Sequence, residues 1–195
     1  VLTISRTEGC RYFGFDPSHR TVLIYGGSRG ALRLNEVVTA FLKENQLPAG
    51  VNLIYVTGEI YYRTVADQLG ALDGRIKLFS YLDQMPEALA ASDLAVTRSG
   101  ATTLAELTAL GLPAILIPSP NVVNNHQYYN ARLLSDSGAA VLIEEKDFDA
   151  LQLQLEISRL LAASDLLAEM SERSRAMGVP DAAERLYRCL QEVAL

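Results

Sequence analysis

The densest chemistry in this sequence lies between residues 97 and 118. Arg98-Ser99-Gly100-Ala101-Thr102-Thr103 brings a cation, a flexible turn and three hydroxyls together, and Glu106 follows three residues after Thr103. Leu94-Ala95-Val96-Thr97 is a short apolar run suited to a buried parallel strand. Ser99-Gly100 breaks it, a helix follows, Gly111 and Pro113 end that helix, and Ala114–Ile117 is the next strand. In open α/β sheets, ligands sit at the carboxyl ends of strands, where helix N-termini offer free N–H groups. Residues 99–106 therefore lie where a ligand would be held. The helix start favours an anion and Glu106 a polyhydroxyl. Thr103 and Glu106 also have the spacing of a capping box, which stabilises a helix start with no ligand at all.

A second stretch of this kind is Gly26-Gly27-Ser28-Arg29-Gly30-Ala31, between the strand Thr21–Tyr25 and a helix over about Leu32–Asn45. Glycine lets backbone N–H groups approach a phosphate because no Cβ stands in the way. Ser28 adds a hydroxyl donor and Arg29 a charge. The turn is neither a dinucleotide fingerprint nor a Walker loop. Purely steric reasons for a Gly-rich turn stand beside phosphate binding.

Two further turns fall on the same sheet edge. Ser80-Tyr81-Leu82-Asp83 follows a short strand, Ile76–Phe79, and Tyr81 with Leu82 could wall a planar base or simply pack the turn. Ser119 to Asn125 is a polar loop, and His126 and Gln127 open the helix after it. His126 could serve as a base or as a polar contact. The four loops 26–31, 80–83, 99–106 and 124–127 jointly offer phosphate donors, a base wall, a carboxylate for hydroxyls and an amide for a sugar. Together they suggest a nucleotide-sugar site.

The elements that must position these loops alternate. About six strands, including Val51–Val56 and Ala140–Ile143, alternate with helices near Tyr61–Leu69, Pro86–Ala91 and His126–Ser137. Helical periodicity then dominates over Phe148–Ala162, Asp165–Met177 and Asp181–Val193. The expected fold is α/β: a doubly wound, mostly parallel, Rossmann-like sheet with a helical C-terminal tail, forming one domain over residues 1–195. With 195 residues, nearly half of them apolar, the chain can bury a sizeable core. A net charge of −6 speaks against nucleic acid or an anionic membrane surface as the main partner. Cys10 and Cys189 make no disulfide framework, and the two histidines make no metal constellation. No metal and no cofactor is expected. The chain starts abruptly, without Met, as a piece cut from something longer would.

The motifs Gly26-Gly27-Ser28-Arg29-Gly30-Ala31, Val56-Thr57-Gly58, Arg98-Ser99-Gly100-Ala101-Thr102-Thr103-x-x-Glu106 and Asn125-His126-Gln127-x-x-Asn130-Ala131 resemble, in order and spacing, the C-terminal half of the MurG family. These are GT-B glycosyltransferases of peptidoglycan synthesis. The resemblance covers nearly the whole chain and implies the GT-B C-terminal domain, with no cofactor. It implies binding of UDP-GlcNAc and UDP, and transfer of GlcNAc onto undecaprenyl-diphospho-muramoyl-pentapeptide (lipid I). The implied place is the cytoplasmic side of the bacterial cell membrane, held peripherally, with roles in cell shape and division.

Residue by residue, Ser28, with Gly27, Arg29 and Gly30 around it, resembles the diphosphate contact. Leu82 resembles the position whose backbone reads the uracil edge, with Tyr81 beside it. Ala101, Thr102 and Thr103 resemble the helix start that meets diphosphate and sugar, and Ser99 and Gly100 before them belong to the same substrate-binding motif. Glu106 resembles the carboxylate on the ribose hydroxyls, and Gln127 the residue on the GlcNAc hydroxyls. His126 stands where some members carry Gln. The resemblance also implies that the acceptor site, the catalytic base and most membrane contact belong to an N-terminal domain not present in this sequence. The fragment alone is then expected to be soluble and inactive, with final helices that expose apolar surface. Three alternatives remain: the donor domain of another UDP-sugar GT-B transferase, a non-catalytic nucleotide-sugar-binding subunit, and a generic α/β domain whose turns are only steric and which binds no nucleotide.

Overall fold

The computed structural model describes residues 3–44 and 47–193. In chain order these form α1 (Arg6–Tyr12), β1 (Arg20–Tyr25), α2 (Leu32–Lys43), β2 (Val51–Val56), α3 (Glu59–Leu69), β3 (Ile76–Phe79), α4 (Met85–Ala91) and β4 (Leu94–Thr97). They continue as α5 (Ala101–Leu110), β5 (Ala114–Leu116), α6 (His126–Asp136), β6 (Ala140–Leu142), α7 (Ala150–Ala162), α8 (Ser164–Ala176) and α9 (Ala182–Val193). The six strands run in the order β3-β2-β1-β4-β5-β6, and every pairing is parallel. This is the expected doubly wound sheet, with its order reversing between β1 and β4.

Strand period explains why both faces are covered. Successive side chains point to opposite faces. Val22, Ile24, Leu53, Tyr55 and Val96 enter one core with α2, α7 and α8, whereas Leu23, Tyr25, Ile54, Val56 and Ala95 enter the other with α1, α4, α5 and α6. Burying both faces requires near-continuous apolar strands, as seen in β1 and β2.

Element limits depart from the sequence reading by one to three residues, for local reasons. Glycine at 58 adopts φ +87°, so α3 starts at Glu59, directly after the turn from β2. Phe148 is extended, and α7 begins only after Asp149, whose side chain accepts from the Gln152 N–H at 2.8 Å. The expected helix end at Asn45 and the opening residues Val1 and Leu2 lie outside the described residues. In the tail, α7 and α8 pack on the sheet, while α9 buries none of its side chains and exposes Leu186, Tyr187 and Leu190. No helix among the described residues is long and apolar enough to cross a membrane.

Candidate functional site

The capping box expected at Thr103 and Glu106 does not form. Helix α5 begins three residues earlier, with Gly100 as N-cap in an extended conformation and no side-chain cap. Ser99, one residue before the N-cap, is fully buried and donates its hydroxyl to the Gln127 carbonyl at 2.7 Å. Asn130 adds a bond from its amide to the Ser99 carbonyl at 3.1 Å. Ser99 thus ties α6 to the end of β4 and is not offered to a ligand. The consequence is chemical: the N–H groups of residues 101–103 have no intrahelical acceptor, and no side chain satisfies them. Helix α2, starting beside the Gly-rich turn, is likewise without a side-chain cap. Two uncapped helix starts on one sheet edge concentrate the partial positive charge and free N–H groups that an anion would meet.

The Gly-rich turn divides its two readings between different residues. At Gly30 the requirement is steric: a Cβ there would stand 2.1 Å from the Thr57 carbonyl oxygen, because the turn nests against Gly58. That carbonyl also accepts from the Asn35 amide at 2.9 Å, and Asn35 in turn accepts from the Tyr55 hydroxyl at 2.8 Å. This buried chain fixes the turn on the neighbouring strand. Gly27 is different. Its φ is +86° and nothing lies within 4 Å of where a Cβ would be. It faces open space, as a residue approached by a ligand would.

Two cavities of about 500 Å³ each meet at this edge. The first is lined by Ser28, Tyr81, Leu82, Thr102, Thr103 and Glu106, together with Tyr25. Tyr81 is half-exposed and offers a ring face, while the Leu82 side chain is packed in the core, which leaves its main chain to serve a ligand. Glu106 is half-buried, and desolvation raises its carboxyl above the ordinary glutamate value. The second cavity is lined by Gly30, Arg98, Gly100, Ser119, Gln127 and Glu145. The Gln127 side-chain oxygen accepts from the Ser119 N–H at 3.0 Å, which turns its amide N–H groups free to donate elsewhere. Gly27 and Thr103 line both cavities and form the neck between them.

Not every expected residue reaches these cavities. Arg29 and Ala101 are exposed beside them and line neither. His126 is exposed, with Nδ1 2.9 Å from the Val123 carbonyl oxygen, and also lines neither. The sequence reading left Arg98 without a role. It forms a largely buried ion pair with Glu145 and donates to the carbonyls of Ile117 and Pro118 at 3.1 and 3.3 Å. It thereby fixes the loop that carries Ser119. Charge at 98 and 145 was visible in the sequence, but the pairing across 47 residues was not. Among the described residues, no group of three His, Cys, Asp or Glu side chains is placed to hold a metal ion.

The family described as Glycosyltransferase family 28 C-terminal domain matches residues 21–186. A relative from Oenococcus oeni named UDP-N-acetylglucosamine--N-acetylmuramyl-(pentapeptide) pyrophosphoryl-undecaprenol N-acetylglucosamine transferase is 45% identical, over 93% of this chain and 49% of its own length. The Bacillus subtilis protein of the same name is 42% identical, over 99% of this chain and 53% of its own. Among solved structures, Acinetobacter baumannii MurG superposes with a TM-score of 0.76 at 26% identity, covering 89% of this chain and 52% of that one. A Staphylococcus aureus MnaA-UDP structure, at TM-score 0.71 and 15% identity over 95% of this chain and 48% of that one, shares the fold. The chain spans about half the length of the curated relatives it matches.

Proposed function

We propose that this chain, which belongs to the glycosyltransferase family 28 C-terminal domains, is the UDP-GlcNAc-binding half of a hexosyltransferase that places GlcNAc on lipid I. The observation that carries this reading is the two-cavity groove with Gly27 and Thr103 at its neck. A nucleoside diphosphate sugar has the same layout: base and ribose, a doubly charged diphosphate, then a hexose. In this reading Tyr81 and the Leu82 main chain hold the base, Glu106 accepts both ribose hydroxyls, and the Gln127 amide donates to the sugar. Ser28, the open N–H groups at 101–103 and Thr103 meet the diphosphate.

The chemistry this half supplies is leaving-group stabilisation. As the bond from the sugar carbon to the diphosphate breaks, negative charge grows on the diphosphate oxygens. Preorganised N–H groups at a helix start stabilise that charge without reorganising. Binding both ends of the donor also fixes the sugar carbon for attack. Deprotonation of the acceptor hydroxyl, acceptor binding and most membrane contact fall to the other half of the protein, at the cytoplasmic face of the bacterial membrane. Roles in cell shape and division follow from that placement.

The test is a calorimetric titration of the chain with UDP-GlcNAc, with UDP, CDP and ADP as controls. Selective uridine binding is expected, with UDP-GlcNAc differing from UDP through the Gln127 cavity. Equal binding of all three nucleotides, or of none, overturns the reading. Acceptor choice by the full-length protein then separates lipid I transfer from other UDP-sugar transfers.

A further inference from the structure

Two tyrosines are buried at the carboxyl ends of neighbouring strands, and they differ in one respect. The Tyr55 hydroxyl donates to Asn35 at 2.8 Å and is satisfied inside the protein. The Tyr25 hydroxyl is nearly as buried and, among the described residues, makes no hydrogen bond of good geometry; the Thr97 hydroxyl beside it is unpartnered as well. An orphaned buried hydroxyl costs stability, so native structures rarely keep one without a use. Register and strand period place Tyr25 on the face opposite Tyr55, beneath the first turns of α5. It lines the same cavity as Glu106. Glu106 has the complementary deficit: among the described residues its carboxylate has no hydrogen bond or ion pair, although it accepts only. Burial, and after it the charge of Glu106, push the Tyr25 phenol well above its ordinary value, so its proton stays on at any working pH.

We propose that Tyr25 is a positioning residue for Glu106, its phenolic O–H donating to the carboxylate when a ribose diol occupies the cavity. This rests on the donor-site reading above. A carboxylate has about four lone-pair positions. Two ribose hydroxyls take two of them on the solvent side, and the phenol takes one from below. That bond keeps the carboxylate ionised and aimed as the cavity loses water, which is when an unpaired charge becomes costly. Thr97 and Thr103 hydroxyls also lie beside the phenol. They are the competing partners that the experiment must separate.

The experiment is a double-mutant cycle read by UDP titration of the full chain: Tyr25→Phe, Glu106→Gln and both together, each with its melting temperature. Tyr25→Phe removes one oxygen and leaves the ring packing. It is expected to weaken UDP by about tenfold with the melting temperature unchanged or raised. In the Glu106→Gln background the same substitution is expected to cost less than about twofold, since a neutral amide gains little from the donor. UDP binding unaffected by Tyr25→Phe overturns this inference alone. So does an equal loss in both backgrounds, which would assign the phenol to Thr97 or Thr103. Failure of the unsubstituted chain to bind UDP overturns the donor-site reading itself, and this inference with it.

Discussion

The two ends of the sheet treat polar groups in opposite ways. At the amino end, Asp93 accepts from Arg6 at 2.9 Å, Arg20 at 2.8 Å and the Thr21 N–H at 2.8 Å. Helix α1 starts there with a complete capping box between Ser5 and Glu8. A cavity of about 490 Å³ lies at this end too, yet Arg6, Arg20 and Asp93 on its wall are spent on one another and Arg175 on the Leu110 carbonyl, with the Arg6 Nε left over. At the carboxyl end, α2 and α5 start without side-chain caps and, among the described residues, Glu106 is unpaired and the Tyr25 hydroxyl makes no hydrogen bond of good geometry. Cavity size does not distinguish the two ends. Unspent hydrogen-bonding capacity does: one guanidinium N–H of Arg6 at the amino end, against a carboxylate, a phenol and two helix starts at the edge proposed to receive the donor. Stability is thus concentrated at one end and binding capacity at the other.

The comparison can be broken by substitutions that move the wrong property. The largest effect is expected from Gly30→Ala, because the new Cβ meets the Thr57 carbonyl at 2.1 Å with φ at +71°. Unfolding in urea should show a loss of roughly 3 kcal/mol or more. Although Gly30 sits in the Gly-rich turn proposed to meet the diphosphate, it belongs to the scaffold, and a stable Gly30→Ala chain would refute that assignment. Next, Glu106→Ala should weaken UDP about a hundredfold, ~2.7 kcal/mol, while leaving the melting temperature unchanged. A melting temperature that collapsed would place Glu106 in the scaffold instead.

Asp93→Ala is the mirror experiment. Three donors lose their acceptor, and with both guanidiniums partly solvated the expected cost is about 2 kcal/mol of stability. UDP affinity per folded molecule should not change. Acid titration sharpens the contrast. The folded Glu106 carboxyl lies above its ordinary value. As pH falls it therefore protonates earlier than a free glutamate, and UDP affinity should decline in that higher window. The same raised value means the ionised form slightly disfavours folding, so stability should not fall with it. The smallest effect is expected from Ser5→Ala, about 1 kcal/mol of stability with no change in UDP binding.

Much of this was legible in the residues. Strand limits at Val51–Val56, Ile76–Phe79 and Leu94–Thr97 match the apolar runs that suggested them, since burial on both faces leaves an unbroken hydrophobic signature. The four loops gather on one edge because all six strands are parallel, which alternation of strands and helices already implies. Spacing misled at Thr103 and Glu106. A capping box is a pattern of four residues, and whether it forms depends on where the preceding turn ends. Here Ser99 was drawn into the interior by Gln127 and Asn130, partners 28 and 31 residues away.

By itself, then, the sequence determined the layering, the strand directions and the edge on which polar loops collect, because those follow from local periodicity and turn residues. Only the tertiary structure decided which polar groups were already spent. Ser99, Arg98 and Tyr55 find partners inside the protein, whereas Tyr25, Glu106 and the start of α5 do not. Satisfaction of a hydrogen bond is a property of two groups brought together across the chain, and no reading of either residue alone contains it.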